Sequence, residues 1–335
     1  MTTAHAQHRS FTTTLTTVLT ACLLVGSSLP AAGESGSTEE TPWLESSVEL
    51  GYFHQFESDL DDDGSFDRYG AFATGHFAAR LTDRVRVRML GTYHGVAYEF
   101  DDPPTIAGSA FKPWNTIHVA RLNPMLDVEL NEKLRIFGGP IFEASLENGA
   151  DIADGFRPGG LVGAEYIVIP GELKVGLGVL GVAEIESGYY IQPLLLLEWR
   201  PTQSLTINAE SWTTRGGSLE LVYRALDQLE VTASVTYRRE KFRLKERVLV
   251  AGPTPVFQTG SRGIGEDRAV VPALRISYFP EIGWIEDILG KMRVDLEVGV
   301  AVAGDLTIEN RAGAQIQTIS YDPAPSVGVN VVVPL

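Results

Sequence analysis

The stretch "ESDLDDDGSFDRYG", residues 57–70, sets Asp59, Asp61 and Asp63 two apart, with Gly64 next and Asp67 further on. Alternate carboxylates followed by a glycine open a calcium loop, in which oxygens wrap a hard cation and the glycine permits the sharp turn. With Asp59 as the first ligand, Asp61, Asp63 and Asp67 take the third, fifth and ninth positions. The twelfth, where a bidentate Glu belongs, is Gly70. No helical pattern flanks the loop, so a working EF-hand is excluded. Two readings remain. One is a weak calcium contact, in the range of about 10⁻⁴–10⁻³ M seen in extracellular modules. The other is a solvated hairpin tip, where Asp and Gly serve turn geometry.

Histidines and alternating charges are the other candidates. His54, His76, His94 and His118 fall one to each of the first four strand-like segments. Alternation assigns His76, His94 and His118 to an inner face and His54 to the outer one. Neutral imidazoles on facing strands could hold a metal or relay a proton; polar lining is the plainer reading. Arg84, Arg86 and Arg88 alternate with Val85, Val87 and Met89, and Glu210, Glu220, Arg293, Asp295 and Glu297 fall on the same inner face. Opposed charges of this kind set ion preference in a wide pore or lock as salt bridges in a narrow one. No G-x-S-x-G nucleophile motif occurs, and no enzyme is expected.

The elements that must position these residues are strands. "VELGYFHQF" places Val48, Leu50, Tyr52, His54 and Phe56 on one face, and "LEVTASVTY" and "MRVDLEVGVAV" repeat the alternation. Short polar turns ("LTDRVRVRM", "LNEKLRIFGG", "RPTQSLTINAE", "ALDQLEVTASV") alternate with longer connections at 58–66, 101–113, 148–156, 244–267 and 311–323. That sorting of connections is the mark of a membrane barrel, with short turns inside and longer loops outside. The pattern gives an all-β, antiparallel, up-and-down transmembrane β-barrel of about 14 strands, or 12 if weak segments merge. Strands are expected near 46–57, 67–81, 84–100, 114–129, 133–147, 157–169, 172–184, 189–200, 204–214, 218–225, 228–243, 268–279, 291–310 and 324–335. In hydrocarbon every backbone donor and acceptor must pair within the chain, which for strands requires closure. Tyr52, Phe56, Tyr98, Phe100, Trp114, Trp199, Tyr223, Tyr278 and Phe279, near strand ends, are expected to form interfacial girdles. "IGWIEDIL", 282–289, reads as a short amphipathic helical turn.

The ends and the composition set the context. An apolar run, "LTTVLTACLLVGSSL", precedes Ala31 and Gly33 at the spacing of a cleavage site, so residues 1–33 read as a secretory signal. Cys22 closes "LTAC", a lipobox-like sequence that would make it a lipidation site. Residues 34–45 read as a polar linker and 46–335 as the barrel. A net charge of −16 argues against a nucleic-acid partner. Cys22 is the single cysteine, so no disulfide framework can form.

"LVYRALDQLEVTASVTYRREKFRL", "GIGEDRAVVPALRISYFP" and "YDPAPSVGVNVVV" resemble the C-terminal half of a bacterial outer-membrane β-barrel family known as a domain of unknown function. The likeness rests on a tyrosine–arginine pair ending a strand, the Gly-Glu-Asp before the next, and the Asp-Pro-Ala-Pro entry to the last. It implies an outer-membrane barrel and carries no catalytic or ligand residues. The resulting expectation is a passive channel or transporter for small solutes in the cell outer membrane. The alternative is a non-conducting structural or surface-interaction barrel binding through its long loops. No cofactor is expected beyond the weak calcium contact. The expected partners are membrane lipid, lipopolysaccharide and the barrel-assembly machinery.

Overall fold

A computed structural model describes residues 43–61, 64–101, 105–106, 109–110, 112–186, 188–213, 216–245, 247–251, 254–258, 263–281 and 292–335. The signal, most of the linker, Asp63 and the helical expectation at 282–289 lie outside the described residues.

Fourteen strands make the wall: β1 (Leu44–Asp59), β2 (Ser65–Thr82), β3 (Val85–Asp101), β4 (Thr116–Asn131), β5 (Leu134–Glu147), β6 (Phe156–Ile169) and β7 (Leu173–Ala183), then β8 (Tyr189–Thr202), β9 (Leu205–Thr213), β10 (Gly216–Leu226), β11 (Leu229–Arg243), β12 (Ile264–Tyr278), β13 (Arg293–Glu309) and β14 (Ala324–Pro334). Each pairs antiparallel with its sequence neighbours, and β14 returns to β1 with Val329 opposite Tyr52. The sheet is therefore closed, and the 12-strand alternative falls. β1 begins at Leu44, two residues inside the expected linker. At about 4.8 Å between strands and a tilt of about 40°, the backbone cylinder is about 28 Å across.

Two-residue turns at one end follow from local hydrogen bonding. The Thr82 hydroxyl accepts from the amides of Arg84 and Val85. The Asn131 carbonyl does the same for Lys133 and Leu134. These side chains mimic a backbone turn and fix the register of the strands they join. At the other end the connections lengthen. Small additions rest there: a short pairing of Thr105–Ile106 with Ser109–Ala110, helix α1 (Ile152–Gly155), a hairpin of Arg247–Ala251 with Thr254–Gln258, and the segment Gln315–Tyr321, which pairs with the upper part of β13.

Period-two alternation sorts the side chains. Leu177, Ile191, Leu195, Leu219, Val235, Leu296 and Val298 face outward and are each about half exposed or more. An apolar belt of this kind suits lipid, not water. Leu177 sits mid-strand and 66% exposed, so Leu177→Arg should cost about 2–4 kcal/mol in membrane-embedded stability. Urea unfolding of the lipid-reconstituted barrel measures that loss, and an unchanged midpoint would place the belt elsewhere.

The girdle expectation divides. Tyr52, Phe56, Trp199, Tyr223 and Tyr278 lie on the outer face, and Phe279 follows the end of β12. Tyr98, Phe100 and Trp114 do not join them; they are at most 3% exposed and point inward. At the loop end of the cylinder they pack with Leu60, Phe66, Ile117, Val119, Phe242, Leu306, Ile308 and Ile319 into an apolar core. Trp114 meets the rings of Tyr98, Phe100 and Phe242 edge-on, with centroids 5.0–6.1 Å apart. The backbone of Arg243 in β11 also pairs in parallel with Leu146 in β5 across this end. The barrel carries a packed plug at one end. A second, smaller apolar cluster of Phe137, Ile141, Leu161, Leu180, Val182 and Leu194 fills the inner side of β5–β8.

Candidate functional site: a plugged, charged lumen

Beneath the plug the inner wall is polar. A vestibule of about 560 Å³ at the turn end is bordered by Glu49, His76, Arg86, Arg88 and Arg293. A mid-lumen cavity of about 420 Å³ follows, bordered by Phe53, Phe72, His94, Glu220, Arg275 and Glu297. A third space of about 250 Å³ lies along β5–β10 beside Arg135, Glu165, Lys174 and Glu198. Facing positions on neighbouring strands point the same way, so opposite charges meet across the ladder. Arg135 pairs with Glu165 at 2.9 Å and Lys174 with Glu198 at 2.8 Å directly across the ladder, Arg88 takes Asp127 on the diagonal of the next strand, and Arg275 of β12 reaches past β11 to Glu220 of β10 at 3.3 Å. Asp295, fully buried, takes Arg293 at 3.0 Å and shares the Asn330 amide with Glu49.

A latch sits where lumen and plug meet. Asp267 of β12 is fully buried and accepts from four side chains: Arg68 of β2, Tyr98 of β3 at 2.8 Å, Arg238 of β11 at 3.2 Å and Tyr321 at 3.1 Å. Arg68 also stacks over Phe53 and Tyr98 and lies 3.8 Å from Glu240. Arg238 reaches the Gln55 carbonyl at 3.3 Å. One carboxylate thus ties strands from opposite sides of the cylinder. Buried ions of this kind stand only while every partner is present. None of Asp267, Arg68 or Arg238 was singled out as a site residue from the sequence; Arg68 and Arg238 occupy inward positions of strands that alternation marks, whereas Asp267 falls in the expected 244–267 connection and joins the wall because β12 begins at Ile264.

The sequence candidates fall as follows. Arg86 and Arg88 line the vestibule, with Arg86 3.8 Å from Glu45. Arg84 does not share their face, because it stands exposed in the turn before β3 begins. Glu210 and Glu220 border the mid-lumen cavity with Glu297, while Arg293 and Asp295 pair nearer the turn end. His76 and His94 face inward, His94 against Phe72 at 5.6 Å. His118 is corrected: it lies outside, its Nδ1 2.8 Å from the Tyr93 hydroxyl. The long connection between β3 and β4 shifts the parity, so His118 opposes outward Gly95 while Val119 opposes inward His94.

The acidic loop is also partly dispersed. Asp59 and Asp61 are exposed at the tip, and the Asp61 amide donates to the Ser320 carbonyl at 3.1 Å. Asp67 belongs to β2, where it meets His54 at 3.3 Å on the outer face. Among the described residues no three His, Cys, Asp or Glu side chains gather as a metal site.

The chain is a closed transmembrane β-barrel with a plugged loop end and a charged lumen. No family model matches it. The proposed membership in a domain-of-unknown-function family is therefore not upheld, and the barrel alone remains of that resemblance. No curated protein matches. Among solved structures it is similar to an outer membrane channel from Pseudomonas putida F1, at 13% identity and TM-score 0.42 over 91% of this chain and all of that one. A FadL homologue of Pseudomonas aeruginosa gives 10% identity and 0.40 over 87% and 90%. The P. putida toluene transporter TodX gives 9% and 0.40 over 87% and 89%. The barrel assignment rests on this chain's own hydrogen-bond register.

Proposed function

We propose that this protein is an outer-membrane transport barrel for small solutes, closed at its external end by the apolar plug. The observation that carries the reading is the run of charged cavities from the turn end up to the Asp267 latch. A cylinder of this width needs no such spaces for stability, and a structural barrel could fill them with apolar side chains as this one does in the plug itself. Glu210, Glu220 and Glu297 around Arg275 make the middle of the path acidic, favouring cations; Arg86 and Arg88 line its entrance. The reading involves passage without catalysis.

Single-channel recording in planar bilayers tests it. Brief openings from a closed baseline are expected, with a reversal potential that reports cation preference and shifts toward zero in Glu220→Gln. A barrel silent both as the parent and with the Asp267 latch removed overturns the proposal. The long connection at 244–263 would then be the place to seek a binding partner.

A further inference from the structure

The mid-lumen cavity has a wall built from two rows of facing residues. One row runs Phe53, Gly328, Glu297, Arg275 and Thr232 from β1 through β14, β13 and β12 to β11. The next row toward the plug runs Gln55, Ser326, Gly299, Ala273, Ser234 and Glu220. Small side chains between Gln55 and Glu220 hold the middle of this wall back, and a concavity results. Gly328 contributes to it directly. A Cβ there would meet only ordinary contacts, the nearest at 3.6 Å, so the position is open space rather than a packing necessity.

Two groups on this wall lack what their chemistry calls for. Arg275 faces Glu297 in register but turns its Nη2 to Glu220 instead. Glu297, half-buried, is left with no hydrogen bond or ion pair among the described residues. Arg275 acts on it only through space, and a carboxylate drawn out of bulk water without a hydrogen-bonding partner is costly. Gln55 is the second case. It is 1% exposed, and its carbonyl is engaged by Arg238, which fixes the orientation of the amide. Its Nε2 is buried with no acceptor among the described residues, and the residue borders the same cavity. Glu297 and Gln55 stand two strands and one row apart, about 10 Å across and 7 Å along by sheet geometry. Phe53 stands in the row of Glu297 on the strand of Gln55, its ring leaning toward Gly70 of β2 with Arg68 over one face, and Phe72 leans over Gly51 of β1; both rings and His94 line the cavity.

We infer that this cavity is a binding site for a small organic cation that carries an acceptor oxygen on an apolar body. The ammonium sits against Glu297, the oxygen accepts from Gln55 Nε2, and the body lies on Phe53 and Phe72. The inference rests on the transport reading for its biological sense, but binding is measured apart from passage. Tyramine is the probe, with 4-methylphenol and 4-hydroxyphenylacetate as its uncharged and anionic counterparts. Isothermal titration of the refolded full-length barrel in detergent should show tyramine binding at least about tenfold more tightly than either, as a charge-assisted bond requires. Glu297→Gln should weaken tyramine about tenfold while leaving 4-methylphenol unchanged. Gly328→Leu, which the backbone accepts, should abolish binding of both. Heat-modifiable migration on a gel confirms that each variant is folded. Equal affinity for the three compounds, or unchanged tyramine affinity in Glu297→Gln, overturns the inference. Binding without tyramine flux into liposomes leaves the site intact and removes the transport reading; flux without selective binding does the reverse.

Discussion

Asp267→Ala should turn a closed barrel into a conducting one and lower its stability by about 3–5 kcal/mol, the usual loss when one partner of a buried ion pair is removed. The carboxylate is fully buried and holds two guanidiniums and two phenols. Without it Arg68 and Arg238 face each other beneath the plug, with Glu240 the nearest counter-charge to Arg68 at 3.8 Å. Water must enter to solvate them, and the plug loses its tie to β2, β3 and β11 together. Single-channel records should therefore show long, noisy openings absent from the parent, and urea unfolding should shift to lower concentration. The companion is the triple variant Asp267→Ala, Arg68→Met and Arg238→Met. Replacing a buried charge set wholesale by apolar groups is often neutral, so stability should return toward the parent value while the latch stays absent. If the triple variant conducts like the single one, loss of the latch opens the plug; if it closes again, apolar packing alone seals the end and the single variant opens only because bare charges draw in water.

The wall was legible because its signal is local. Alternation marks each strand, and Thr82 and Asn131 mark turns whose geometry they enforce by their own hydrogen bonds. All fourteen strands fall within a few residues of where the pattern puts them. Face assignment failed where a connection of undetermined length intervened. His118 and Arg84 each follow such an uncertainty, the first after the long 101–116 connection and the second where a turn residue passes for a strand residue. The plug was missed for a different reason. Tyr98, Phe100 and Trp114 near strand ends have the composition of an interfacial girdle; only the parity of β3 against β2 and β4 shows that the first two point inward, and Trp114, in the connection before β4, is placed by its packing on them.

The latch was present in the sequence without being recognised as one. Each of the three stretches that suggested a family resemblance contributes a member: "TYRREKFRL" carries Arg238, "GIGEDRAVV" carries Asp267 and "YDPAPSVG" begins with Tyr321. They lie far apart in the chain and meet only because closure brings β11, β12 and the segment before β14 to one height. Pairwise spacing holds no trace of such a meeting, since it depends on the shear of the whole sheet. Glu297 is the converse case. Its inward face followed from alternation, but that its facing arginine would turn to Glu220 depends on a diagonal contact that registers alone do not choose.

Trp114 separates the two forces that hold the plug. Trp114→Ala removes a side chain that is 2% exposed and packed on three rings, and should cost about 3–5 kcal/mol. Unlike the Asp267 change it leaves no charge stranded. The void would be lined by Tyr98, Phe100 and Phe242, and an apolar cavity of this kind stays dry. Stability should thus fall as far as in Asp267→Ala with no gain in conductance. Trp114→Phe sharpens the comparison. The indole Nε1 is buried with no partner among the described residues, so exchanging the indole for a phenyl ring removes an unsatisfied donor worth about 1–3 kcal/mol. That gain offsets much of the lost volume, and Trp114→Phe should unfold within about 1 kcal/mol of the parent. A Trp114→Phe loss as large as that of alanine would mean that the indole donor is satisfied. Conductance in Trp114→Ala equal to that of Asp267→Ala would mean that aromatic packing, not the ionic latch, keeps the external end shut.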